Sequence, residues 1–218
     1  MMTLNEPLLL KHGDWTLRLR TATEQPARLL LLLHGWTGDE NSMWVFARRF
    51  SATFTILAPR APYTAPEGGF SWRPIKPNTW GFPTLEELRP AADRLVSLVD
   101  ELAAERAWNA AQFDVIGFSQ GAALTVLLGL LYPNRVRRMG VLAGFLPVNA
   151  EGLIPAQPLV EKSVYMAHGL QDELVPIARA RQTKAALEQA GAQVAYCEVE
   201  SGHKVSAECL RGMETFFA

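Results

Sequence analysis

The apolar positions of this chain fall into short runs separated by segments with a helical period. Residues 15–20 alternate between apolar and polar side chains, which predicts an edge strand with one solvent-facing side. Leu29–Leu33 is an unbroken apolar run, typical of a central strand that is buried on both faces. Further apolar runs predict strands over residues 54–58, 113–116, 136–143, 163–167 and 193–199.

Helical patterns lie between these strands. Thr84 and Glu87 have the spacing of a capping box, which would start a long amphipathic helix there, whereas Pro90 offers a later start. Further helices are expected over residues 41–50 and 122–128, after residue 176 and at the C-terminal end. The alternation of strands and helices predicts an α/β fold with a mostly parallel sheet and helices on both faces. In such sheets, sites form at the carboxyl ends of the strands.

Two irregular segments interrupt this alternation. Residues 60–83 are rich in proline and in aromatic side chains, among them Trp72 and Trp80. Because disordered segments are poor in aromatic residues, we expect this segment to be a packed loop that lines a site. The second segment, residues 144–162, is too short to form a large lid domain.

The pentapeptide Gly117-Phe118-Ser119-Gln120-Gly121 stands between a predicted strand and a predicted helix. G-x-S-x-G in this context is the nucleophile-elbow pattern, a sharp turn that lifts the serine hydroxyl clear of the sheet. The glycines are needed where strand and helix nearly touch. Ser119 is therefore the candidate nucleophile.

A serine hydroxyl needs an imidazole to take its proton and a carboxylate to orient that imidazole. In elbow-type hydrolases these follow the serine in the order acid, then histidine. Asp172 is the only aspartate after Ser119, and His203 is the only histidine after Asp172. Chain order thus selects Ser119, Asp172 and His203, with Glu173 as the rival acid. His34 and His168 are expected to hold turns by side-chain hydrogen bonds.

The reaction of such a serine also needs N–H donors for the oxyanion. The backbone N–H groups of Gln120 and Trp36 are the candidates, because they follow the nucleophile and the His34-Gly35 turn respectively.

Composition limits the classes of molecule that this chain is expected to bind. The 218 residues carry 21 basic and 22 acidic side chains, a net charge of −1, so no basic excess exists to bind a nucleic acid. The length predicts one domain over residues 1–218. No apolar run reaches the length of a membrane span, and the first residues lack the features of a signal peptide. Cys197 and Cys209 have no metal-ligand spacing and are expected to be free thiols in a reducing cytoplasm.

The chain resembles the phospholipase/carboxylesterase family of α/β-hydrolases, which includes the acyl-protein thioesterases. The likeness runs through ordered blocks along nearly the whole chain. These are Leu33-His34-Gly35 with Gly38-Asp39, residues 58–62, residues 68–72, residues 117–121, His168-Gly169 with Asp172 and Val175-Pro176, and Gly202-His203 with Val205-Ser206.

This resemblance implies an α/β-hydrolase fold and hydrolysis of carboxylic esters or thioesters with no metal and no organic cofactor. It also implies a homodimer as a common state. Trp36 departs from the family pattern, which more often has a smaller apolar residue there, so long-chain thioesters and lysophospholipids fit less well. We expect an acyl slot lined by Trp36, Trp72, Phe145 and Leu170. The alternatives are a lysophospholipase or acyl-protein thioesterase, a dienelactone-hydrolase-like enzyme, and a hydrolase fold reused as a binder.

Overall fold

The computed structural model describes residues 7–75 and 81–218. Predictions that fall on residues 1–6 or on Trp80 lie outside these ranges. Within them the strands are β1 Leu8–His12, β2 Trp15–Arg20, β3 Arg28–Leu33, β4 Phe54–Pro59, β5 Tyr63–Thr64, β6 Phe70–Ser71, β7 Phe113–Phe118, β8 Val136–Leu142, β9 Ser163–Gly169 and β10 Gln193–Val199. The helices are α1 Trp44–Ala47, α2 Leu85–Arg106, α3 Gln120–Leu131, α4 Ile177–Gln189 and α5 Ala207–Phe217, with a 3-10 helix over Ala150–Ala156.

The main sheet formed by the described residues has the strand order β1-β2-β4-β3-β7-β8-β9-β10. The neighbouring strands β4, β3, β7, β8, β9 and β10 all pair in parallel. Strand β2 runs antiparallel to both of its neighbours, β1 and β4. This confirms the predicted fold class, a mostly parallel sheet of the α/β-hydrolase type. A two-stranded hairpin of β5 and β6 lies within the aromatic loop.

Residues 29–33 of strand β3 show why the buried part of a central strand is apolar at successive positions. Leu29, Leu31 and Leu33 pack into the core cluster that contains residues of α2 and α3, whereas Leu30 and Leu32 pack into the cluster that contains residues of α5. Side chains alternate between the faces of a strand, and here both faces are covered by helices. The structure thus confirms that residues 29–33 form a buried central strand.

The prediction that residues 15–20 form an edge strand is wrong. Strand β1 pairs with the outer side of β2, so β2 lies inside the sheet and β1 forms the edge. The reason is that Leu8 and Leu9 are adjacent apolar residues and both are exposed. Their side chains therefore do not produce the apolar–polar alternation by which such a strand is recognised.

Helix α2 begins where the capping box predicts. The Thr84 hydroxyl accepts a hydrogen bond from the Glu87 amide at 3.2 Å, and the Glu87 carboxylate accepts one from the Thr84 amide at 3.1 Å. Pro90 lies inside the helix. The later start at Pro90 is therefore wrong, because the reciprocal cap stabilises the first turn ahead of the proline.

The helix expected over residues 41–50 is reduced to one turn, α1. Asp39 explains the shortening: its carboxylate accepts hydrogen bonds from the backbone amides of Asn41 and Ser42, at 2.9 and 3.1 Å. A short polar side chain that bonds the following amides favours a turn over a helix.

The two cysteines form a disulfide between β10 and α5, so the prediction of free thiols is wrong. The fold brings the Cα atoms of Cys197 and Cys209 to 5.6 Å, inside the range that a disulfide spans. The spacing of 12 residues along the chain carries no such distance information. The cytoplasmic location, which rested partly on free thiols, stays a prediction.

None of the helices in the described residues combines the length and the apolar character needed to cross a bilayer.

Candidate active site

The turn between β7 and α3 has the geometry of a nucleophile elbow. Ser119 adopts φ 52° and ψ −114°, a conformation rarely found for a residue with a side chain. Hydrogen bonds fix this turn: the Ser119 amide donates to the Leu142 carbonyl at 2.9 Å, and the Ser119 carbonyl accepts from the amides of Ala122 and Ala123 at 3.0 Å each. The hydroxyl-bearing Cβ is thus presented at the carboxyl end of the sheet.

Two glycines make this turn possible. A Cβ on Gly117 would lie 2.1 Å from the Gly121 carbonyl oxygen, and a Cβ on Gly121 would lie 2.3 Å from that of Leu33. Both distances are shorter than any real contact of a Cβ atom. Strand β7, helix α3 and the end of β3 can therefore meet only if neither position carries a side chain.

Asp172 and His203 are hydrogen-bonded to each other. The His203 Nδ1 lies 2.7 Å from Asp172 Oδ2, and Asp172 is buried. The other carboxylate oxygen, Oδ1, accepts the backbone amides of Leu174 and Val175 at 3.0 and 2.9 Å. The carboxylate is therefore fixed in a turn beyond β9, with one oxygen directed at the imidazole.

The imidazole of His203 lies beside the elbow. Its ring is 4.9 Å from that of Phe118, the residue before Ser119. Among the described residues, the Ser119 hydroxyl makes no hydrogen bond to this imidazole. The structure thus joins Asp172 to His203 and places both next to the serine-bearing turn. Glu173, the rival acid, is exposed.

His168 supports the turn that carries Asp172. Its Nε2 donates to the Val175 carbonyl at 2.7 Å and lies 3.4 Å from Asp172 Oδ2. Burial lowers the pKa of His168, because a buried imidazolium loses its hydration. This is the structural role expected for the residue.

His34 supports the turn after β3. Its Nε2 accepts a hydrogen bond from the Ala61 amide at 3.0 Å, so the proton is on Nδ1, which donates to the Gly35 carbonyl at 2.7 Å. Burial lowers the pKa of His34 as well. The neutral ring therefore fixes the backbone that leads into Trp36.

Trp72 belongs to the support of the site rather than to its lining. Its indole is fully buried, and its Nε1 donates to the His34 carbonyl at 2.8 Å. Its backbone amide donates to Gln120 Oε1 at 2.9 Å. The placement of Trp72 in the acyl slot is corrected accordingly, because hydrogen bonds direct the indole toward the backbone below the cavity.

The two candidate oxyanion donors lie close to the serine. Gln120 is the first residue of α3, where a backbone N–H has no acceptor within the helix. A Cβ on Gly35 would be 3.3 Å from Ser119 Cβ, so the turn leading to Trp36 packs directly against the elbow. Trp36, Ser119 and Gln120 line the same cavity.

This cavity has a volume of about 90 Å³ and mostly apolar walls. Its apolar lining includes Phe145, as expected, but Leu174 and Val175 take the place predicted for Leu170. The reason is that the two amides bonded to Asp172 fold residues 174–175 over the site. Arg73 and Ile75 also line it and carry no sequence motif that could have identified them.

The parallel sheet and the serine-bearing turn after its central strands define the α/β-hydrolase class. The chain belongs to the phospholipase/carboxylesterase family, whose family model matches residues 17–218.

Solved structures agree with this assignment. A carboxylesterase from Mesorhizobium loti has a TM-score of 0.82 and 25% identity, over 96% of this chain and 97% of that one. A carboxylesterase from Bacillus cereus has a TM-score of 0.83 and 22% identity, over 94% of each chain, a likeness of fold. A curated relative from Arabidopsis thaliana, a probable carboxylesterase, is 31% identical over 107 residues. That match spans 47% of this chain and 40% of the relative's length.

Gly117→Ala is expected to lower the free energy of unfolding by about 1–3 kcal/mol or more, because the new methyl group overlaps backbone atoms. Denaturant unfolding measures the change. Gly152→Ala is the matched control, since a Cβ there meets nothing within 4 Å. Equal stability of the two variants would contradict the close approach at the elbow.

The stability of the fold is expected to decrease as the pH falls from 7.5 to 5.5. The pKa values of His34 and His168 are lowered in the folded state, whereas the unfolded imidazoles titrate near about 6.5. Below that pH the unfolded chain binds more protons than the folded one, so protonation favours unfolding.

Urea unfolding at several pH values measures how the free energy of unfolding depends on pH. His168→Asn is the test variant, and His12→Gln, at a partly exposed histidine, is the control. The pH slope should become smaller in His168→Asn than in His12→Gln. An unchanged slope in His168→Asn would show that the imidazole is not buried in its neutral form.

Proposed function

We propose that this protein is a serine esterase that hydrolyses carboxylic esters of short to medium acyl chains, working as one α/β-hydrolase domain. The observation that carries the proposal is the 2.7 Å hydrogen bond between Asp172 and His203 beside Ser119, whose backbone has the strained elbow conformation. Membership of the phospholipase/carboxylesterase family supports the same chemistry.

In this proposal Ser119 is the nucleophile. Its Oγ attacks the ester carbonyl carbon while His203 Nε2 takes the hydroxyl proton. Asp172 keeps the Nδ1–H tautomer and stabilises the imidazolium. The C–O bond to the alcohol then breaks, His203 returns the proton to the leaving oxygen, and an acyl-Ser119 ester remains. Water, deprotonated by His203, attacks the carbonyl carbon of this ester. The bond to Ser119 Oγ then breaks, His203 returns the proton to that oxygen, and the carboxylic acid is released with Ser119 restored.

The backbone N–H groups of Gln120 and Trp36 are proposed to bind the oxyanion of both tetrahedral intermediates. The position of Gln120 at the start of α3 favours this role, because the helix dipole adds to the hydrogen bond. The neutral His34 ring and the Trp72 indole hold the opposing turn. Loss of one such donor typically costs roughly 10²–10³ in rate.

The acyl group is proposed to occupy the cavity walled by Trp36, Phe145 and Leu174. A volume of about 90 Å³ suits a short chain. Thioesters of the same acids form the same acyl-Ser119 intermediate and are a second substrate class. The cytoplasmic location and a homodimer remain proposals from the sequence.

Ser119→Ala is expected to reduce hydrolysis of a short p-nitrophenyl ester on the order of 10⁶-fold, to the background rate. The exposed Ser97→Ala is the control and should keep wild-type turnover. Labelling with a fluorophosphonate probe gives an independent readout, because only an activated serine reacts. A wild-type protein that stays unlabelled and inactive would favour the binder alternative.

Trp36→Leu is expected to extend the range of acyl chains. Each additional buried methylene contributes about 0.8 kcal/mol, so kcat/KM should rise about four-fold per added carbon until the enlarged cavity is filled. A series of p-nitrophenyl esters and matching thioesters, compared with wild type, measures this. Trp44→Leu, a tryptophan outside the cavity lining, is the control. An identical length profile for wild type and Trp36→Leu would remove Trp36 as a determinant of acyl length.

A further inference from the structure

Arg179 in α4 lies half-buried at the rim of the Ser119 cavity. Its guanidinium carbon is 4.0 Å from the ring centroid of Phe145 and 4.8 Å from that of Phe82. Its Nη1 donates to the Gly81 carbonyl at 2.8 Å. Phe145 and Gly81 both line the Ser119 cavity, so the residues that hold Arg179 are walls of the proposed active site.

Within the described residues, Arg179 forms no ion pair, and its guanidinium donates a hydrogen bond only to the Gly81 carbonyl. Other arginines with reduced exposure are better satisfied. Arg60 pairs with Glu40 at 2.6 Å, and the buried Arg20 donates to three backbone carbonyls. Burial lowers the pKa of Arg179, with no acidic group opposing it. A desolvated charge without a counter-ion is costly, and an anion would relieve that cost.

A groove of about 480 Å³ lies on the other side of Phe145. Arg179 lines it together with the apolar side chains of Phe82, Leu146 and Val148. Glu151 also lines the groove but forms no ion pair with Arg179. The guanidinium therefore lies at the junction between the groove and the Ser119 cavity, and the walls on both sides are mostly apolar.

We propose that Arg179 binds an anionic group, a carboxylate or a phosphate, at the end of the ester substrate remote from the scissile bond. This inference rests on the proposed esterase function and adds a substrate class to it, namely esters that carry a negative charge several atoms from the carbonyl. The planar guanidinium suits such a partner because it donates parallel hydrogen bonds to two oxygens. The rings of Phe82 and Phe145 hold the guanidinium in position for this contact.

The test compares two pairs of esters of matched size. In the first pair the acyl chain ends in a carboxylate or a methyl group: mono-p-nitrophenyl adipate against p-nitrophenyl hexanoate. In the second pair the phenol leaving group carries or lacks a carboxylate. The measured quantity is the ratio of kcat/KM for the anionic ester to that for the neutral one, which cancels general damage to the fold.

Arg179→Gln is expected to lower this ratio by about 10- to 100-fold in one of the two pairs, through KM. Arg179→Lys should retain part of the preference for the anionic ester, because the positive charge remains but the parallel N–H donors of the guanidinium are lost. Arg181→Gln is the control: it removes the same charge from the same helix, but its side chain is 57% exposed and paired with Glu198. A ratio that is equal in wild type and Arg179→Gln for both pairs would overturn the proposal.

A binding measurement separates this inference from the esterase proposal. Adipate is titrated into the Ser119→Ala variant and into the double variant Ser119→Ala/Arg179→Gln, and the affinity of each is measured by calorimetry. Adipate binding that is lost in Arg179→Gln supports the anion site, even if no ester is hydrolysed by the wild type. Equal adipate affinity in the two proteins would exclude an anion site on the acyl side. Together with an equal ratio in the leaving-group pair, it would mean that Arg179 only packs between its two aromatic neighbours.

Discussion

The close approach of strand β7, helix α3 and the end of β3 determines the geometry of the whole site. Gly117 and Gly121 leave no room for a side chain at this contact. Because the backbones touch there, the intervening Ser119 must adopt a positive φ, and its side chain is directed away from the sheet. The same contact presses the turn after β3 against the elbow. The position of the serine and that of the opposing backbone N–H groups are therefore set by one steric constraint.

Side chains that bond to backbone atoms hold the loops around this contact. His34, Trp72 and Gln120 connect the turn after β3 with the aromatic loop and with the first turn of α3. Asp172 and His168 serve the turn after β9 in the same way. Loops at a sheet edge have no ladder of their own, so buried side chains satisfy their amides and carbonyls. This explains why His34, Trp72 and His168 support the site and are absent from the described lining of the cavity.

Sequence patterns predicted the parts of the molecule that depend on local chemistry. The central strand at residues 29–33, the capping box at Thr84 and the elbow at residues 117–121 each carry a short-range signal with a physical cause. Chain order then selected Asp172 and His203, and the fold brings these two into contact. Most of the errors concern distance and direction in space: the approach of Cys197 to Cys209, for example, is not encoded in sequence spacing. The pairing of β1 with β2 does have a local signal, the two-residue turn Gly13-Asp14, but the exposed apolar pair Leu8-Leu9 obscures the strand that precedes it.

The direction of a side chain is equally hidden from a linear pattern. An aromatic residue in a loop beside a site is a reasonable candidate for its lining, yet the Trp72 indole is directed to the His34 carbonyl. Leu174 enters the cavity because Asp172 binds the amide of that residue, a contact that exists only in the folded chain. Arg179 has no motif either; what distinguishes it is its two aromatic neighbours and the lack of a counter-ion among the residues that the structure describes.

The disulfide has a consequence for the segment that carries His203. Strand β10 is an edge of the sheet that the described residues form, and edge elements open more readily by local unfolding than central ones. His203 lies in the chain between the two linked cysteines. The cross-link closes this segment into a ring, so the first turn of α5, which carries Cys209, cannot separate from β10. Local fluctuations at the two ends are thereby coupled, and the imidazole is kept within reach of Asp172 on the timescale of such openings.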